Sequence, residues 1–165
     1  MCCWNAGTLR RSGRLSRMSA IAREQLLAYL RDARYAVVAS VTADGVPQAA
    51  IVGVVVTDTF EIVFDTLQDA RKTRNLRTRP AVALVFGETG STASRTIQVE
   101  GLADEPAGVE LDALLERYFA GFPDGVERRA SRDVTYFRVR PSWIRCSDYA
   151  TLPPTIVEFS AADLA

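Results

Sequence analysis

The sequence predicts a mainly β fold: an antiparallel β-barrel of six to seven strands with flanking helices. Short segments of alternating or fully apolar character, rich in β-branched residues, recur between turn sequences, and helical segments are few. The strand–helix alternation of a parallel sheet is missing, and so is the G-x-G-x-x-G fingerprint, which disfavours a Rossmann domain. A length of 165 residues suits one domain.

The first half of the chain predicts one helix and three strands. Ser19 is a good N-cap, and apolar residues at helical spacing from Ile21 to Leu30 predict a helix that runs to about Arg34. Strands are expected at 35–42, 48–57 and 60–66, the first two joined by a hairpin turn at 43–45. Gly53, near the centre of the second strand, either allows a barrel strand to bend or allows a flat ligand to lie against the backbone.

The second half predicts two helices and further strands. A short helix at 70–78 has Leu76 facing inward and ends at Pro80, and a helix at 106–119 carries apolar residues at helical spacing. Strands are expected at 81–86, 95–104, 134–140 and 143–149, with a polar region at 126–133 and a further edge strand at 156–159.

Charge is unevenly distributed in this chain of zero net charge. Residues 1–17 carry +4 and the remainder carries −4, which disfavours a general nucleic-acid surface. We expect 1–17 to be a disordered N-terminal extension of a domain at 18–165, with an organelle transit peptide as the alternative. No apolar run is long enough for a membrane span or a signal peptide, so a cytoplasmic protein without membrane contact is expected.

The chain contains no histidine. This excludes Ser-His-Asp and Cys-His catalysis, zinc sites that use histidine, and the usual proximal ligand of heme. The three cysteines match neither a disulfide framework nor a metal-binding spacing. We therefore expect no metal and no heme.

A candidate phosphate site follows the strand that ends in Asp65-Thr66. After a short turn, Arg71 and Lys72 begin a nine-residue stretch that holds five bases and no acid. The first turn of a helix offers unpaired N–H groups and a positive dipole end, and arginine grips phosphate through two parallel hydrogen bonds. These features together predict an anion cradle.

This region resembles the FMN-binding split-barrel family of pyridoxamine 5′-phosphate oxidase and its relatives. The matching elements, in order, are Asp65-Thr66, Ala70-Arg71-Lys72, Leu76, Arg79-Pro80 and the strand Arg95-Thr96-Ile97-Gln98-Val99-Glu100-Gly101. A looser resemblance covers residues 35–149. It implies a fold of the FMN-binding split-barrel type.

The resemblance also implies which residues hold FMN. Arg71 and Lys72 would contact the phosphate, with Asp65 and Thr66 beside the phosphate or ribityl chain. The Asp65 carboxylate would repel a phosphate unless a cation intervenes, so it is expected to pair with Arg71 or to accept a ribityl hydroxyl. The expected contacts with the flavin ring are Ile51, Val52, Gly53, Thr96 and Gln98; plain barrel core is the alternative for the first three.

Several family positions carry other residues here. Ala50 stands where relatives often have arginine and Val55 where they have lysine. The matching C-terminal strand reads Ile144-Arg145-Cys146-Ser147, with Ser147 at the family's tryptophan, and the chain has no histidine for the family's C-terminal Arg-x-His. The half of the site that would bind pyridoxamine phosphate is thus missing, and vitamin B6 oxidation is not expected. By analogy with split-barrel dimers, we expect a homodimer in which Trp143, Arg145 and Tyr149 cap the partner's cofactor or substrate. The alternative makes Trp143 an interface anchor and Arg145 part of an ion pair.

The resemblance therefore implies an FMN-dependent oxidoreductase that acts as a homodimer on an unidentified small molecule. One alternative is a reductase that uses a deazaflavin coenzyme, whose acidic tail would need a broad basic groove from Arg74, Arg77 and Arg79. Another is a flavin-binding or sensing dimer without catalysis. A nucleic-acid binder built on 71–79 is disfavoured by the acidic remainder of the domain.

Overall fold

The computed structural model describes residues 21–87 and 95–165, which form a strongly β architecture with short helices at its edges. In chain order the elements are α1 (Arg23–Asp32), β1 (Tyr35–Val41), β2 (Pro47–Gly53), β3 (Val55–Val56), β4 (Ile62–Leu67), α2 (Arg71–Thr78), β5 (Ala81–Gly87), β6 (Arg95–Asp104), α3 (Gly108–Gly121), α4 (Gly125–Ser131), β7 (Val134–Asp148), β8 (Thr155–Ser160) and α5 (Ala161–Leu164).

The strands form one antiparallel sheet in the order β2-β1-β5-β6-β7-β4-β3, and β8 pairs with β7 outside this path. The two ends of the path, β2 and β3, are separated in sequence by Val54 alone. The sheet therefore curls round, because its first and last strands are consecutive in the chain and must lie close together. The predicted mainly β antiparallel barrel is confirmed.

Strict alternation of side chains produces the main core. In β5, for example, Val82, Leu84 and Phe86 are buried while the residues between them are exposed. Leu26 and Leu30 of α1 and Leu76 of α2 belong to the same core, so both helices pack against the barrel interior. A smaller second core lies on the other side of β4 and β7, where α3 packs; it consists of Val63, Leu114, Leu115, Tyr118, Phe122 and Tyr136.

Two predicted strand boundaries were wrong. The strand expected at 48–57 is interrupted: β2 ends at Gly53, and the Val54 N–H donates to the Arg34 carbonyl at 3.0 Å instead of continuing the ladder. The strands expected on either side of Pro141 are one continuous strand, β7. Pro141 is tolerated because the register shifts opposite Glu100 and Gly101, and a bulge relaxes the demand for a ladder N–H.

The region at 126–133, which was expected only to be polar, forms helix α4 over most of its length. The edge strand expected at 156–159 is confirmed as β8, which pairs with the end of β7. The expectations for residues 1–17 and for Ser19 lie outside the described residues. Among the residues that the structure describes, no helix has both the length and the apolar character needed to cross a bilayer.

Candidate functional site

A cleft of about 440 Å³ opens beside the first turn of α2. Its remaining walls come from β1 and β2, which meet there through the pairs Ser40–Gln48 and Val38–Ala50. The lining residues are Val38, Ser40, Gln48, Ala49, Ala50, Ala70, Arg71 and Lys72. This lining contains two cations and no carboxylate, so the cleft favours an anion.

The start of α2 strengthens that preference. Ala70 occupies the N-cap position with extended backbone angles, and it has no side chain that can cap the helix. The first helical hydrogen bond runs from the Arg74 N–H to the Ala70 carbonyl at 3.3 Å. The three N–H groups before it, those of residues 71–73, have no partner within the helix, and the first turn contains no acid. Backbone and side chains therefore present positive charge to the same opening.

Two side-chain hydrogen bonds join α2 to the end of β4. Lys72 Nζ donates to Thr66 Oγ1 at 3.3 Å, and Thr73 Oγ1 donates to the Leu67 carbonyl at 2.7 Å. Thr66, Thr73 and Leu76 are buried. The buried side of α2 thus fixes the helix, and the first-turn cations are held at a defined place next to Thr66.

Asp65 lies apart from this group. It is adjacent to Thr66 in a strand, and successive strand residues face opposite sides of the sheet. The Asp65 carboxylate faces the second core, where Arg128 Nε donates to it at 3.1 Å. Burial, together with the nearby Asp65 charge, raises the pKa of Tyr118 in this core. The expected partner, Arg71, is not the one observed, and the carboxylate does not oppose an anion in the cleft.

The three residues expected to border a flavin ring do not share one surface. Val52 is buried in the barrel core, whereas the Ile51 side chain faces the other side of the sheet and is 72% exposed. At Gly53 an added Cβ would lie 2.8 Å from Cζ of Phe122, so the glycine allows the Phe122 ring to pack on the backbone. The strand also ends at Gly53. The close approach of the Phe122 ring is therefore the role that the geometry supports for this glycine.

The remaining candidates lie on the outer face of the sheet. Direct pairing places Ile51, Val37, Val85, Gln98 and Arg145 in one row across five strands, all on the side away from the barrel core. Thr96 and Trp143 lie on the same face, and Tyr149 is exposed just beyond β7. Arg145 Nη1 is 3.9 Å from the Glu158 carboxylate, a loose ion pair. The predicted site residues thus separate into the basic cleft, the outer sheet face and, for Asp65 and Val52, the two hydrophobic cores.

A model of one protein family matches most of this chain. The model described as pyridoxamine 5′-phosphate oxidase matches residues 22–147. The chain belongs to this family. A pyridoxine/pyridoxamine 5′-phosphate oxidase of Burkholderia multivorans is 36% identical over 102 residues, which cover 62% of this chain and 45% of that protein. The chain therefore spans about half the length of that curated relative.

Solved structures agree on the fold. A heme-binding protein from Mycobacterium smegmatis has a TM-score of 0.71 at 17% identity, covering 90% of this chain and 60% of the other. A FAD-binding protein from Mesorhizobium loti has a TM-score of 0.60 at 15% identity, covering 76% of this chain and 91% of the other. At such low identities these likenesses establish the fold alone.

Within this pyridoxamine 5′-phosphate oxidase family member, the sequence reasoning missed Ser40, Gln48 and Asn75. Asn75 Nδ2 is 3.1 Å from Ser40 Oγ and 3.0 Å from the Gln48 side chain, beside Arg71. Asn75 is 35 residues from Ser40 and 27 residues from Gln48 in the sequence, so no local pattern indicates that these polar groups are in contact. The available clue was two amide side chains placed in otherwise apolar, inward-facing positions.

Proposed function

We propose that this chain is an FMN-binding oxidoreductase that acts as a homodimer on a small molecule. The observation that carries the proposal is the cleft at the start of α2, where Arg71 and Lys72 face an opening without a carboxylate. Within residues 21–87 and 95–165, neither cation forms an ion pair with an acidic side chain. Their charge is available to a ligand, in a chain whose family is defined by a phosphate-bearing substrate.

The donor set suits a phosphate monoester. Arg71 can contribute two parallel hydrogen bonds, Lys72 a compact charge, and the first turn of α2 its unpaired N–H groups. Thr66, already hydrogen-bonded to Lys72, would hold that ammonium group toward the phosphate. A flavin held in this way would supply the hydride and electron transfer, while the protein binds and orients it.

The outer sheet face supports a homodimer. Tyr35, Val37, Ile51 and Val85 are large apolar residues exposed together on neighbouring strands. An apolar patch of this kind on a sheet is typical of a protein interface. Trp143 and Arg145 lie on the same face, and Tyr149 lies close by in sequence. Pairing of two such faces would place these three residues against the partner, where they would cap its cofactor or substrate.

The substrate is proposed to be something other than pyridoxamine phosphate. The chain has no histidine for the oxidase's C-terminal Arg-x-His, and Ser147 stands where the family has tryptophan. Ala50, which lines the cleft, offers no side-chain anchor in place of the family's arginine. A heme ligand is not proposed, because the sequence has no histidine to bind the iron.

The flavin-binding module without catalysis is the second candidate. It is favoured by the positions of Thr96 and Gln98, which face the outer sheet surface and not the cleft. The deazaflavin alternative has less support, because none of the three arginines needed for its basic groove lines the cleft. Arg77 pairs with Glu105 at 2.7 Å, Arg79 donates to the Ala43 carbonyl at 2.7 Å, and Arg74 donates to the Asp69 carbonyl.

Absorption-monitored titration with FMN tests the proposal. The wild type should bind FMN at micromolar concentration or better, and Arg71→Ala/Lys72→Ala should bind it about a hundredfold more weakly. The matched control is Arg74→Ala/Arg79→Ala, which removes the same number of charges from α2 and its C-cap outside the cleft and should retain binding. Equal loss in both variants, or no binding by the wild type, would refute the proposed site.

Reduction by a nicotinamide cofactor separates the two candidates. Bleaching of the bound flavin, followed by reoxidation with turnover, supports the oxidoreductase. A chain that binds FMN in the cleft but does not accept hydride from NADH or NADPH is a binding module. Selective uptake of a deazaflavin coenzyme over FMN would overturn both.

A further inference from the structure

The Gln48 side chain lies between Arg71 and Asn75 at the wall of the cleft. With its amide oxygen turned toward Arg71, Gln48 accepts hydrogen bonds from that guanidinium at Nε (2.9 Å) and Nη1 (3.3 Å), and also from Nη2. Its amide nitrogen then lies 3.0 Å from the Asn75 side-chain amide. When the Asn75 amide is turned in the same way, its oxygen accepts from the Gln48 amide and from the Ser40 hydroxyl, so every group has a partner. Gln48 is thus the acceptor that holds the guanidinium group in place.

The other end of this arrangement is fixed in the protein interior. Asn75 is 7% exposed and lies within hydrogen-bond distance of Ser40 Oγ, at 3.1 Å, and Ser40 is 2% exposed. Asn75, Gln48 and Ser40 belong to α2, β2 and β1, respectively. Because buried polar groups of this kind keep their partners, the position of the Gln48 amide is set by the fold.

A neutral acceptor has a particular consequence for a cation. A carboxylate at position 48 would hold Arg71 equally well but would neutralise its charge, as happens to arginines elsewhere in this chain. A glutamine oxygen restrains the long side chain, whose free rotation would otherwise have to be lost on binding, and leaves the positive charge intact. The guanidinium is therefore oriented before an anion arrives, and it is still attractive to that anion.

We propose that Gln48, supported by Asn75 and Ser40, is a positioning residue that pre-orients Arg71 and makes the cleft selective for ligands that carry a phosphate monoester. For FMN this rests on the proposed function. It predicts that Gln48 affects binding of FMN and leaves binding of riboflavin, which has the same ring and no phosphate, unchanged.

The first test compares Gln48→Met, Gln48→Glu and Arg71→Ala by titration with FMN and with riboflavin. Gln48→Met keeps the shape and removes the acceptor, so FMN affinity should fall about tenfold, the size expected for hydrogen bonds to a charged group. Gln48→Glu should lose more, because it also neutralises Arg71. Riboflavin affinity should stay within about twofold in both.

The matched control is Gln68→Met. Gln68 also accepts a hydrogen bond from an arginine of α2, Arg77, but it does not line the cleft. This variant should bind FMN like the wild type. A double-mutant cycle completes the test: in an Arg71→Ala background, Gln48→Met should have no further effect. Equal loss of FMN and riboflavin affinity, or full additivity with Arg71→Ala, would overturn the positioning role.

A second measurement keeps this proposal separate from the FMN assignment. In ¹⁵N-edited NMR spectra, the Arg71 Nε–H should be protected from solvent exchange in the wild type and in Gln68→Met, and should lose that protection in Gln48→Met. Inorganic phosphate should shift this resonance in the wild type. If FMN does not bind but both NMR results hold, the proposed function fails and the positioning role stands. If the Arg71 Nε–H is unprotected in the wild type, the positioning role fails.

Discussion

Two clusters of basic side chains in this molecule differ in whether acidic groups neutralise their charge. In the cleft, Arg71 lies exposed at the head of α2, and within the described ranges only neutral acceptors hold it and the neighbouring Lys72. On the outer side of β7, the Arg138 side chain is 7% exposed and lies among acids. It donates to both oxygens of Asp104, at 2.6 and 3.1 Å, and approaches Glu61 and Glu110 within 3.6 Å.

The pKa directions follow the same division. The Asp104 carboxylate raises the pKa of Arg138, and hydrogen bonds from Arg138 lower the pKa of Asp104. Charge that is neutralised within the protein stabilises the fold and is unavailable to a ligand. Charge that is restrained by neutral groups beside an open cleft contributes little to stability and remains available. The comparison therefore assigns Arg138 to structure and, under the proposed function, favours ligand binding for Arg71.

Arg138→Met should give the largest effect on stability. It leaves Asp104 and its acidic neighbours without their buried cation, so the free energy of unfolding should fall by about 3 kcal/mol. Urea denaturation measures this. Arg140→Met is the control: Arg140 contacts two of the same acids, Asp104 and Glu61, but is half-exposed, and its loss should cost less than about 1 kcal/mol. Equal costs for the two variants would contradict the structural role of Arg138.

Arg71→Ala/Lys72→Ala should give the converse result. FMN affinity should fall about a hundredfold, which corresponds to roughly 2.7 kcal/mol, because the phosphate loses both cations. The free energy of unfolding should change by less than about 0.5 kcal/mol, since neither side chain forms an ion pair within the described residues. A stability loss comparable to that of Arg138→Met would remove the distinction between the clusters.

Much of this division could be predicted from the sequence. Apolar alternation indicated the strands, and adjacent cations after a strand end indicated the cleft. Alternation also implies that the Asp65 and Thr66 side chains face opposite sides of the sheet. Their assignment to one site therefore conflicted with the same strand pattern that predicted the fold. The break at Gly53, by contrast, depends on Phe122 packing against it, a contact across 69 positions that no local pattern contains.

The acceptor network lay beyond sequence reasoning for the same reason. Gln48 and Ser40 belong to one hairpin, but Asn75 reaches them from α2 only after the sheet has curled. The acids around Arg138 likewise come from β6, α3 and the turn before β4. Which arginine is neutralised and which is not is a property of tertiary structure. In a chain with nineteen arginines, composition cannot distinguish them.

Ile51→Asp extends the comparison to an apolar surface, which has neither the available cations of the cleft nor the paired charges around Arg138. Ile51 lies in the exposed apolar row of the outer sheet face, and a carboxylate there should weaken self-association about tenfold or more by burying an unpaired charge. Sedimentation equilibrium measures the dissociation constant. Val109→Asp changes an equally apolar, exposed residue on α3 and should leave association unchanged. A monomeric wild type would contradict the homodimer.

A smaller effect concerns pH. The folded pKa of Asp104 lies below its unfolded value of about 3.9, so its contribution to stability is fully present above that value. It should be lost as pH falls from about 4 through the lowered folded pKa. Asp104→Asn should lack this component when unfolding is followed between about pH 6 and pH 2. An unchanged pH profile in Asp104→Asn would show that the carboxylate gains nothing from Arg138.

The most direct test measures both FMN affinity and free energy of unfolding in wild type, Arg71→Ala/Lys72→Ala and Arg138→Met, at one pH and ionic strength. The account predicts opposite effects of the two variants. Arg71→Ala/Lys72→Ala loses FMN affinity and keeps its free energy of unfolding. Arg138→Met loses free energy of unfolding and keeps its FMN affinity, when binding is measured under conditions where the variant is folded. If each variant lost both properties in proportion, the two clusters would not be distinct, and the assignment of Arg71 and Lys72 to ligand binding would be wrong.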